Sequence, residues 1–119
     1  MLTLLGIPNC DTVKKARVYL ENSQVAFQFR DLRKQPLSES EWQDLIAQDL
    51  EGKLINTRSP SFRKTGFKAA ELNEVRKLEV LLAQPTAMKR PALIKEGRLL
   101  ANGFEEGRYD AILKETLDP

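Results

Sequence analysis

The chain has no histidine and only one cysteine, Cys10, among its 119 residues. A zinc site within one chain needs several cysteine or histidine ligands, so we expect no metal. Catalysis by a serine–histidine or cysteine–histidine pair is excluded because the chain has no histidine. A single cysteine cannot form an internal disulfide. If Cys10 does redox chemistry, its second thiol must come from outside, from a small thiol such as glutathione or from another protein.

Excess charge of one sign and long apolar runs are also absent. The net charge is +2 and no long run of like charges appears, so we expect no direct binding to nucleic acid. No apolar run approaches the length of a membrane span, and the first residues do not form a signal peptide. We therefore expect a cytoplasmic protein with no membrane partner. The length and the 41% of hydrophobic residues predict one domain over residues 1–119.

The single cysteine lies where a predicted strand gives way to a predicted helix. Residues 2–5 predict the strand, Gly6 interrupts it, and the helical pattern begins at Thr12. At a helix N-terminus, unpaired N–H groups and the helix dipole favour the thiolate over the thiol. Lys14, in the first turn, adds positive charge that acts in the same direction. This arrangement predicts a reactive Cys10.

The alternative is that Cys10 is an inert, buried hydrophobic residue, as lone cysteines often are. The neighbouring residues argue against this interpretation. Asn9 and Asp11 flank the thiol and Pro8 keeps the loop open, whereas a core cysteine belongs more naturally within an apolar run. The sequence therefore favours the reactive interpretation.

The order of the predicted elements indicates the fold class. Strands are predicted at residues 2–5, 25–32, 92–94 and 98–101, with a helix at 12–22 between the first two. A helical crossover favours a parallel pair, and Gly97 between the last two strands predicts an antiparallel hairpin. The result is an α/β, thioredoxin-like fold with a mixed four-stranded sheet, in the order β-α-β, helical insertion, β-β-α. Cys10 then lies at the carboxyl end of the first strand, where reactive loops occur.

The helical insertion is predicted over about residues 38–84. Ser38 and Glu41 have the spacing of a capping box, and the helix that they begin should end near Asp49 or Leu50. Ser59 and Pro60 predict the start of a short helix. A later helix, from about 73 to 83, has an apolar stripe made by Leu72, Val75, Leu78, Leu81 and Leu82.

Basic side chains cluster beside the short helix. Arg58, Arg63 and Lys64 lie within a few residues of one another. Taken alone, this pattern is typical of a solvated basic loop as well as of an anion-binding site. The residue pattern by itself favours the solvated loop.

Three motifs resemble those of one protein family. They are G-I-P-N-C-D-T-V-K-K-A at 6–16, N-T-R-S at 56–59 and K-R-P at 89–91, and N-G-F at 102–104 also fits. The first motif is highly specific, whereas the N-T-R and R-P elements are shared more broadly. Over essentially its full length the chain resembles the arsenate reductase–Spx superfamily, most closely its YffB-like branch of thiol reductases.

The resemblance implies roles for individual residues. It makes Cys10 the nucleophile, Arg58 and Arg90 anion-binding arginines, and Pro91 a proline that is usually cis and faces the cysteine. A cis Pro91 would expose the backbone of residues 88–90 for pairing with an extended peptide such as glutathione.

The chain also departs from the family pattern. Gly6 stands where glutaredoxin-coupled arsenate reductases have a histidine, and residues 102–104 lack their third arginine. Each lost charge-assisted contact weakens oxyanion binding by about 1.5–3 kcal/mol. Val13 stands where Spx-type regulators have the second cysteine of a C-x-x-C switch.

These observations favour a glutathione-dependent thiol reductase. Cys10 would form a mixed disulfide that an external thiol resolves, with Lys14 favouring the thiolate and Arg58 and Arg90 holding a carboxylate of glutathione. Glutathione is then a co-substrate rather than a bound cofactor, and glutaredoxin is a candidate partner. The alternatives are an Spx-like regulator that binds RNA polymerase and a weak arsenate reductase.

Overall fold

A computed structural model describes residues 1–117 of the chain. Strands and helices alternate at first, a helical segment follows, and a hairpin and a helix complete the described part. In chain order the elements are β1 (Leu2–Gly6), α1 (Asp11–Asn22), β2 (Phe27–Asp31), α2 (Glu39–Ala47), α3 (Pro60–Arg63), α4 (Glu74–Ala83), β3 (Ala92–Lys95), β4 (Arg98–Asn102) and α5 (Glu106–Leu117).

The strands form one four-stranded sheet in the order β2-β1-β3-β4. β1 pairs with β2 in parallel and with β3 antiparallel, so Leu4 lies between Phe29 and Leu93. β3 and β4 form an antiparallel hairpin whose turn, Glu96 and Gly97, has positive φ at both residues, as tight hairpin turns favour. The predicted α/β, thioredoxin-like fold with a mixed sheet is confirmed.

Helices cover both faces of the sheet because side chains alternate along β1. Leu2 and Leu4 point to one face, where they pack with α1 and α5. Leu5 points to the other face, where the buried partners come from α2, α4 and the segments around them. Both clusters are built from residues that are almost entirely buried, and Trp42 is the largest of these. Cys10 follows β1 at the end of this central strand.

The helices of the insertion begin where the capping residues predict. Ser38 Oγ accepts the N–H of Glu41, and the Glu41 carboxylate accepts the N–H of Ser38, which completes the capping box. Ser59 caps α3 in the same way, by accepting the N–H of Phe62. The prediction of both helix starts is confirmed.

Two details of the insertion differ from the sequence prediction. Helix α2 ends at Ala47 rather than near Asp49. The Asp49 side chain instead accepts the N–H groups of the following loop, which draws the chain away from the helix. In α4, Val75 and Leu82 are 69% and 47% exposed, so the predicted apolar stripe is wrong at these positions. The face that packs inward is centred on Val80 and Leu81, which are fully buried.

Among the described residues, no helix is long and apolar enough to cross a membrane.

Candidate active site

Cys10 is the N-cap residue of α1. Its backbone is extended, with φ of −106° and ψ of 125°, and its carbonyl accepts the N–H of Lys14 at 2.9 Å. The side chain makes no capping hydrogen bond and is partly exposed. The thiol is therefore at the helix N-terminus, as the sequence predicts, and it is accessible to a small reactant.

Pro91 follows a cis peptide bond and is buried. Its carbonyl accepts the N–H of Gly103 at 2.8 Å, which joins the start of β3 to the residue after β4. The cis conformation that the resemblance implies is present. Arg90, immediately before it, is partly buried.

The segment 54–56 pairs with the segment 87–89 ahead of Pro91. Lys89 donates its N–H to the carbonyl of Leu54 at 2.7 Å, and Asn56 donates to Ala87 at 2.8 Å. An isolated antiparallel bridge between Ile55 and Met88 lies between these two bonds. The pairing places the N-T-R-S motif beside the K-R-P motif, although about thirty residues separate them in the chain.

These elements enclose an open cleft of about 310 Å³ that contains the thiol, here called the Cys10 cleft. Arg90 lines it from the opposite segment. The other lining residues are Thr12, Asn56, Met88, Lys89, Asn102, Gly103, Phe104 and Glu105. The structure thus brings together residues from the first motif, the middle motif and both sides of the terminal hairpin.

Three of the predicted site residues, Lys14, Arg58 and Pro91, lie outside this lining. Lys14 lines a neighbouring shallow groove on α1, which shares Phe104 with the Cys10 cleft. Arg58 is exposed, and its N–H donates to the side chain of Asn56 at 3.0 Å. Of the middle motif, it is Asn56 rather than Arg58 that lines the cleft.

The charged groups of the cleft are free of ion pairs. Within residues 1–117, neither Lys89 nor Arg90 pairs with a carboxylate, and Glu105 pairs with no cation. The cleft therefore presents two unpaired cations and one unpaired carboxylate near the thiol. No group of three or more cysteine, aspartate or glutamate side chains in the described part is arranged to hold a metal ion.

The backbone next to Pro91 is less available than the sequence suggests. Met88 donates its N–H to Pro85, and Lys89 donates to Leu54 and accepts from the Asn102 side chain. The expectation that residues 88–90 are free for a peptide is therefore wrong for Lys89, whose N–H and carbonyl are occupied by Leu54 and Asn102, and for the N–H of Met88, which Pro85 occupies. Arg90 differs, since its N–H has no partner in the part of the chain that the structure describes.

Comparisons with known proteins identify the family to which this fold and sequence belong. The ArsC family model matches residues 5–112. The chain belongs to the ArsC family. It is 33% identical to the global transcriptional regulator Spx of Enterococcus faecalis, over 89% of this chain and 81% of that protein. It is also 33% identical to a YffB protein of known structure, with a TM-score of 0.81 over 93% of this chain and 97% of that one.

Another similar solved structure is the crystal structure of a possible arsenate reductase from Streptococcus mutans UA159. It is 28% identical, with a TM-score of 0.77 over 88% of this chain and 92% of that one. The resemblance to the arsenate reductase–Spx superfamily, and to its YffB-like branch, is thereby confirmed.

Gly6 at the end of β1 and Val13 in the first turn of α1 lie against each other. A Cβ placed on Gly6 would lie 2.9 Å from Cγ2 of Val13, whose side chain is fully buried. Real Cβ atoms do not approach so closely, so the side chain at position 13 and the glycine at position 6 depend on each other. A histidine at position 6 would not fit here without movement of the first turn of α1.

Sequence reasoning missed several residues of this ArsC cleft. Asn56, Lys89 and Asn102 lie within the motifs that the resemblance uses, but no role was assigned to them. Glu105 follows the last motif and has no signal of its own in the sequence. Only the pairing of distant segments places these residues beside Cys10.

Proposed function

We propose that the protein is a glutathione-dependent thiol reductase in which Cys10 is the nucleophile. The observation that carries the proposal is an accessible thiol at a helix N-terminus, lining one cleft with an unpaired arginine that precedes a cis proline. The thiolate is the reactive form of cysteine, and thiol–disulfide exchange proceeds through it. Membership of the ArsC family and the similarity to a possible arsenate reductase support thiol chemistry at this position.

The proposed reaction consists of two exchanges. The Cys10 thiolate attacks the glutathionyl sulfur of a mixed disulfide between glutathione and a substrate thiol, the S–S bond breaks, and the substrate thiolate leaves and takes a proton. This gives a mixed disulfide between Cys10 and glutathione. The thiolate of a second glutathione, or of a glutaredoxin, then attacks the glutathionyl sulfur and releases Cys10. The net result is that the substrate is released as a thiol, and the external thiol is oxidised to a disulfide with the glutathionyl group.

Arg90 is the residue that we assign to a carboxylate of glutathione. It lines the cleft, it has no ion pair in the described part, and its free N–H lies where an extended peptide can pair. Arg58 and Lys14 lie beyond the lining, so we assign them weaker, longer-range attraction of the anionic ligand.

The test is formation of the mixed disulfide. The reduced protein is incubated with oxidised glutathione, and intact mass and peptide mapping follow the addition of one glutathionyl group to Cys10. We expect the folded protein to react faster than the same chain unfolded in urea, because only the fold supplies the helix terminus and Arg90. Cys10→Ser should remain folded and give no adduct. Absence of an adduct at millimolar oxidised glutathione, or equal rates in the folded and unfolded chain, would contradict the proposal.

The second candidate is a binding role like that of the Spx relatives. The 33% identity to a global transcriptional regulator, over most of both chains, favours it. Val13 replaces the second cysteine of the switch, so such binding would not depend on an internal disulfide. Purified RNA polymerase and the purified protein are mixed and analysed by gel filtration. A complex that survives Cys10→Ser favours binding over catalysis, and its absence removes this candidate.

Arsenate reduction is the third candidate, and a neighbour called a possible arsenate reductase favours testing it. Residues 102–104 contribute no arginine, and Glu105 adds a carboxylate to the cleft, so a small dense oxyanion should bind weakly. Turnover of arsenate with glutathione and glutaredoxin would establish the activity. No turnover at millimolar arsenate would remove it.

A further inference from the structure

The backbone of Lys89 is held on both sides, and its side chain lines the Cys10 cleft. Both of its backbone groups are used, since the N–H donates to Leu54 at 2.7 Å and the carbonyl accepts from the Asn102 side chain at 3.3 Å. With the backbone fixed on two sides, the direction in which the side chain leaves the backbone is also fixed. The side chain lines the cleft that contains Cys10.

The Lys89 side chain lies across Gly103. A Cβ built on Gly103 would be 3.0 Å from Cε and 3.8 Å from Nζ of Lys89. Gly103 cannot easily withdraw, because its N–H donates to Pro91 at 2.8 Å and its carbonyl accepts the hydroxyl of Tyr109 at 3.1 Å. A Cβ at residue 103 would therefore have to displace the end of the Lys89 side chain by a few tenths of an ångström, and the glycine leaves that space open.

The ammonium group of Lys89 has no carboxylate within ion-pair distance among residues 1–117, although Glu105 lines the same cleft. An unpaired cation that the backbone directs into a cleft is suited to binding an anionic group of the ligand. Glutathione carries a carboxylate at each end, and Arg90 can engage only one of them. Lys89 supplies a second cation in the same cleft for the other carboxylate.

We propose that Lys89, held across Gly103, is a specificity-determining residue that binds a carboxylate of the glutathionyl group. This inference rests on the proposed thiol reductase function and deepens it, because it states which disulfides the site prefers. Disulfides with anionic ends should react faster with Cys10 than neutral disulfides of similar chemical reactivity. The preference should weaken as salt is added, since Lys89 is exposed.

The experiment compares two disulfides on the full chain. Oxidised glutathione supplies the carboxylates and bis(2-hydroxyethyl) disulfide lacks them, and the rate of mixed-disulfide formation on Cys10 is measured for each. In Lys89→Met we expect the glutathione rate to fall about three- to fivefold, as loss of one exposed charge contact predicts, with the neutral rate within about twofold of wild type. Lys89→Arg should keep most of the preference. Lys114→Met removes an equal charge from α5, outside the cleft, and should change neither rate.

A second pair of variants tests the role of the glycine. Gly103→Ala places a Cβ against Lys89 and should lower the glutathione rate without a matching fall in the neutral rate. Gly97→Ala is the matched control, because Gly97 also has a positive φ, of 83°, but has nothing within 4 Å of a built Cβ. It reproduces the backbone strain and leaves Lys89 in place.

The outcomes separate this inference from the proposed function. If the wild type reacts with neither disulfide, the proposed function itself is wrong. If it reacts with both, but Lys89→Met leaves the ratio of the two rates unchanged, the function stands and the role of Lys89 is wrong. Should Gly103→Ala fail to fold, the ratio in Lys89→Met and its rescue in Lys89→Arg still decide the matter.

Discussion

Cys10 and Arg90 line the same cleft, but different kinds of contact place them there. Cys10 is positioned by its own neighbours in the chain, which end β1 and begin α1. Arg90 follows a segment that is held by residues 54–56, and Pro91 after it is held by Gly103. The side of the cleft that carries Cys10, here called the local wall, is therefore formed by consecutive residues of β1 and α1. The side that carries Arg90, here called the assembled wall, is formed by three segments that are distant in the chain: residues 54–56, residues 87–91 and Gly103. We expect the assembled wall to be the easier one to disrupt from outside the site.

The assembled wall has its strongest support at Asp49. This side chain is 3% exposed, its carboxylate accepts the N–H groups of Lys53 and Leu54, and it pairs with Lys77 at 3.1 Å. Asp49→Ala leaves all of these donors without the partner, so the free energy of unfolding should fall by about 2–4 kcal/mol in urea denaturation. The rate of glutathione addition to Cys10 should fall as well, because Leu54 holds Lys89.

Glu51→Ala is the control for that experiment. Glu51 pairs with Lys53 at 2.8 Å, but both side chains are more than 60% exposed, and such pairs contribute little. We expect no measurable change in stability or in rate. A loss of less than about 1 kcal/mol in Asp49→Ala would show that the assembled wall does not depend on this residue.

The local wall should break at Gly6. Gly6→Ala places a Cβ 2.9 Å from Val13, so we expect a loss of about 1–3 kcal/mol in urea denaturation. Gly107→Ala is the matched control, because nothing lies within 4 Å of a Cβ at this helical glycine, and it should gain about 0.5–1 kcal/mol. Adding Val13→Ala to Gly6→Ala should remove the clash, and non-additive stabilities would demonstrate the contact. Additive losses would contradict it.

Arg90 and Arg58 are both predicted to bind an anion, and replacing each in turn tests which of them affects the rate of glutathione addition to Cys10. Arg90 lines the cleft and Arg58 does not. Arg90→Met should slow glutathione addition to Cys10 about tenfold, as loss of a charge-assisted contact predicts, and Arg58→Met should slow it less than about threefold. Stopped reactions analysed by mass spectrometry give both rates. A larger loss of rate in Arg58→Met than in Arg90→Met would mean that Arg58 contacts the bound ligand and that the assignment of Arg90 to the glutathione carboxylate is wrong.

The sequence predicts the features that depend on neighbouring residues and misses those that depend on pairing between distant segments. Cys10 at the helix N-cap, the Ser38–Glu41 capping box and the Gly97 turn depend on residues a few positions apart, and all three predictions are confirmed. Local hydrogen bonding and backbone preferences decide such features, so a short stretch of sequence contains the information.

The missed features depend on distant pairing. Nothing within the N-T-R-S motif indicates that Asn56, and not Arg58, lines the cleft with Cys10, because this depends on the pairing of Ile55 with the distant Met88. Likewise, the exposure of Val75 follows from which face of α4 packs inward, and apolar spacing alone does not determine that face. The position of Lys89 beside Gly103 also depends on distant pairing, since the Gly103 N–H donates to the Pro91 carbonyl and the Lys89 N–H donates to Leu54.

Glu41 offers the finest test, because one carboxylate makes a local contact and a distant one. It completes the capping box with Ser38, and it accepts two hydrogen bonds from Arg30 of β2, at 2.6 and 3.1 Å. Hydrogen bonding to Arg30, helped by the N–H of Ser38, lowers the pKa of Glu41 from 4.5 to about 2. A carboxyl with a lower pKa when folded stabilises the fold above its unfolded pKa, and this contribution is lost as the pH falls toward 2.

Glu41→Gln should separate the two contacts, because glutamine can complete a capping box but cannot pair as an anion with Arg30. Near neutral pH we expect the variant to be less stable by about 0.2–1 kcal/mol, since the pair is partly exposed. Between about pH 5 and pH 2 the difference from wild type should shrink toward zero, as the wild-type carboxylate becomes protonated. Urea denaturation of both proteins across this range measures it. A difference that is constant with pH would assign the effect of Glu41 to the local cap, and the tie from β2 to α2 would then contribute nothing measurable.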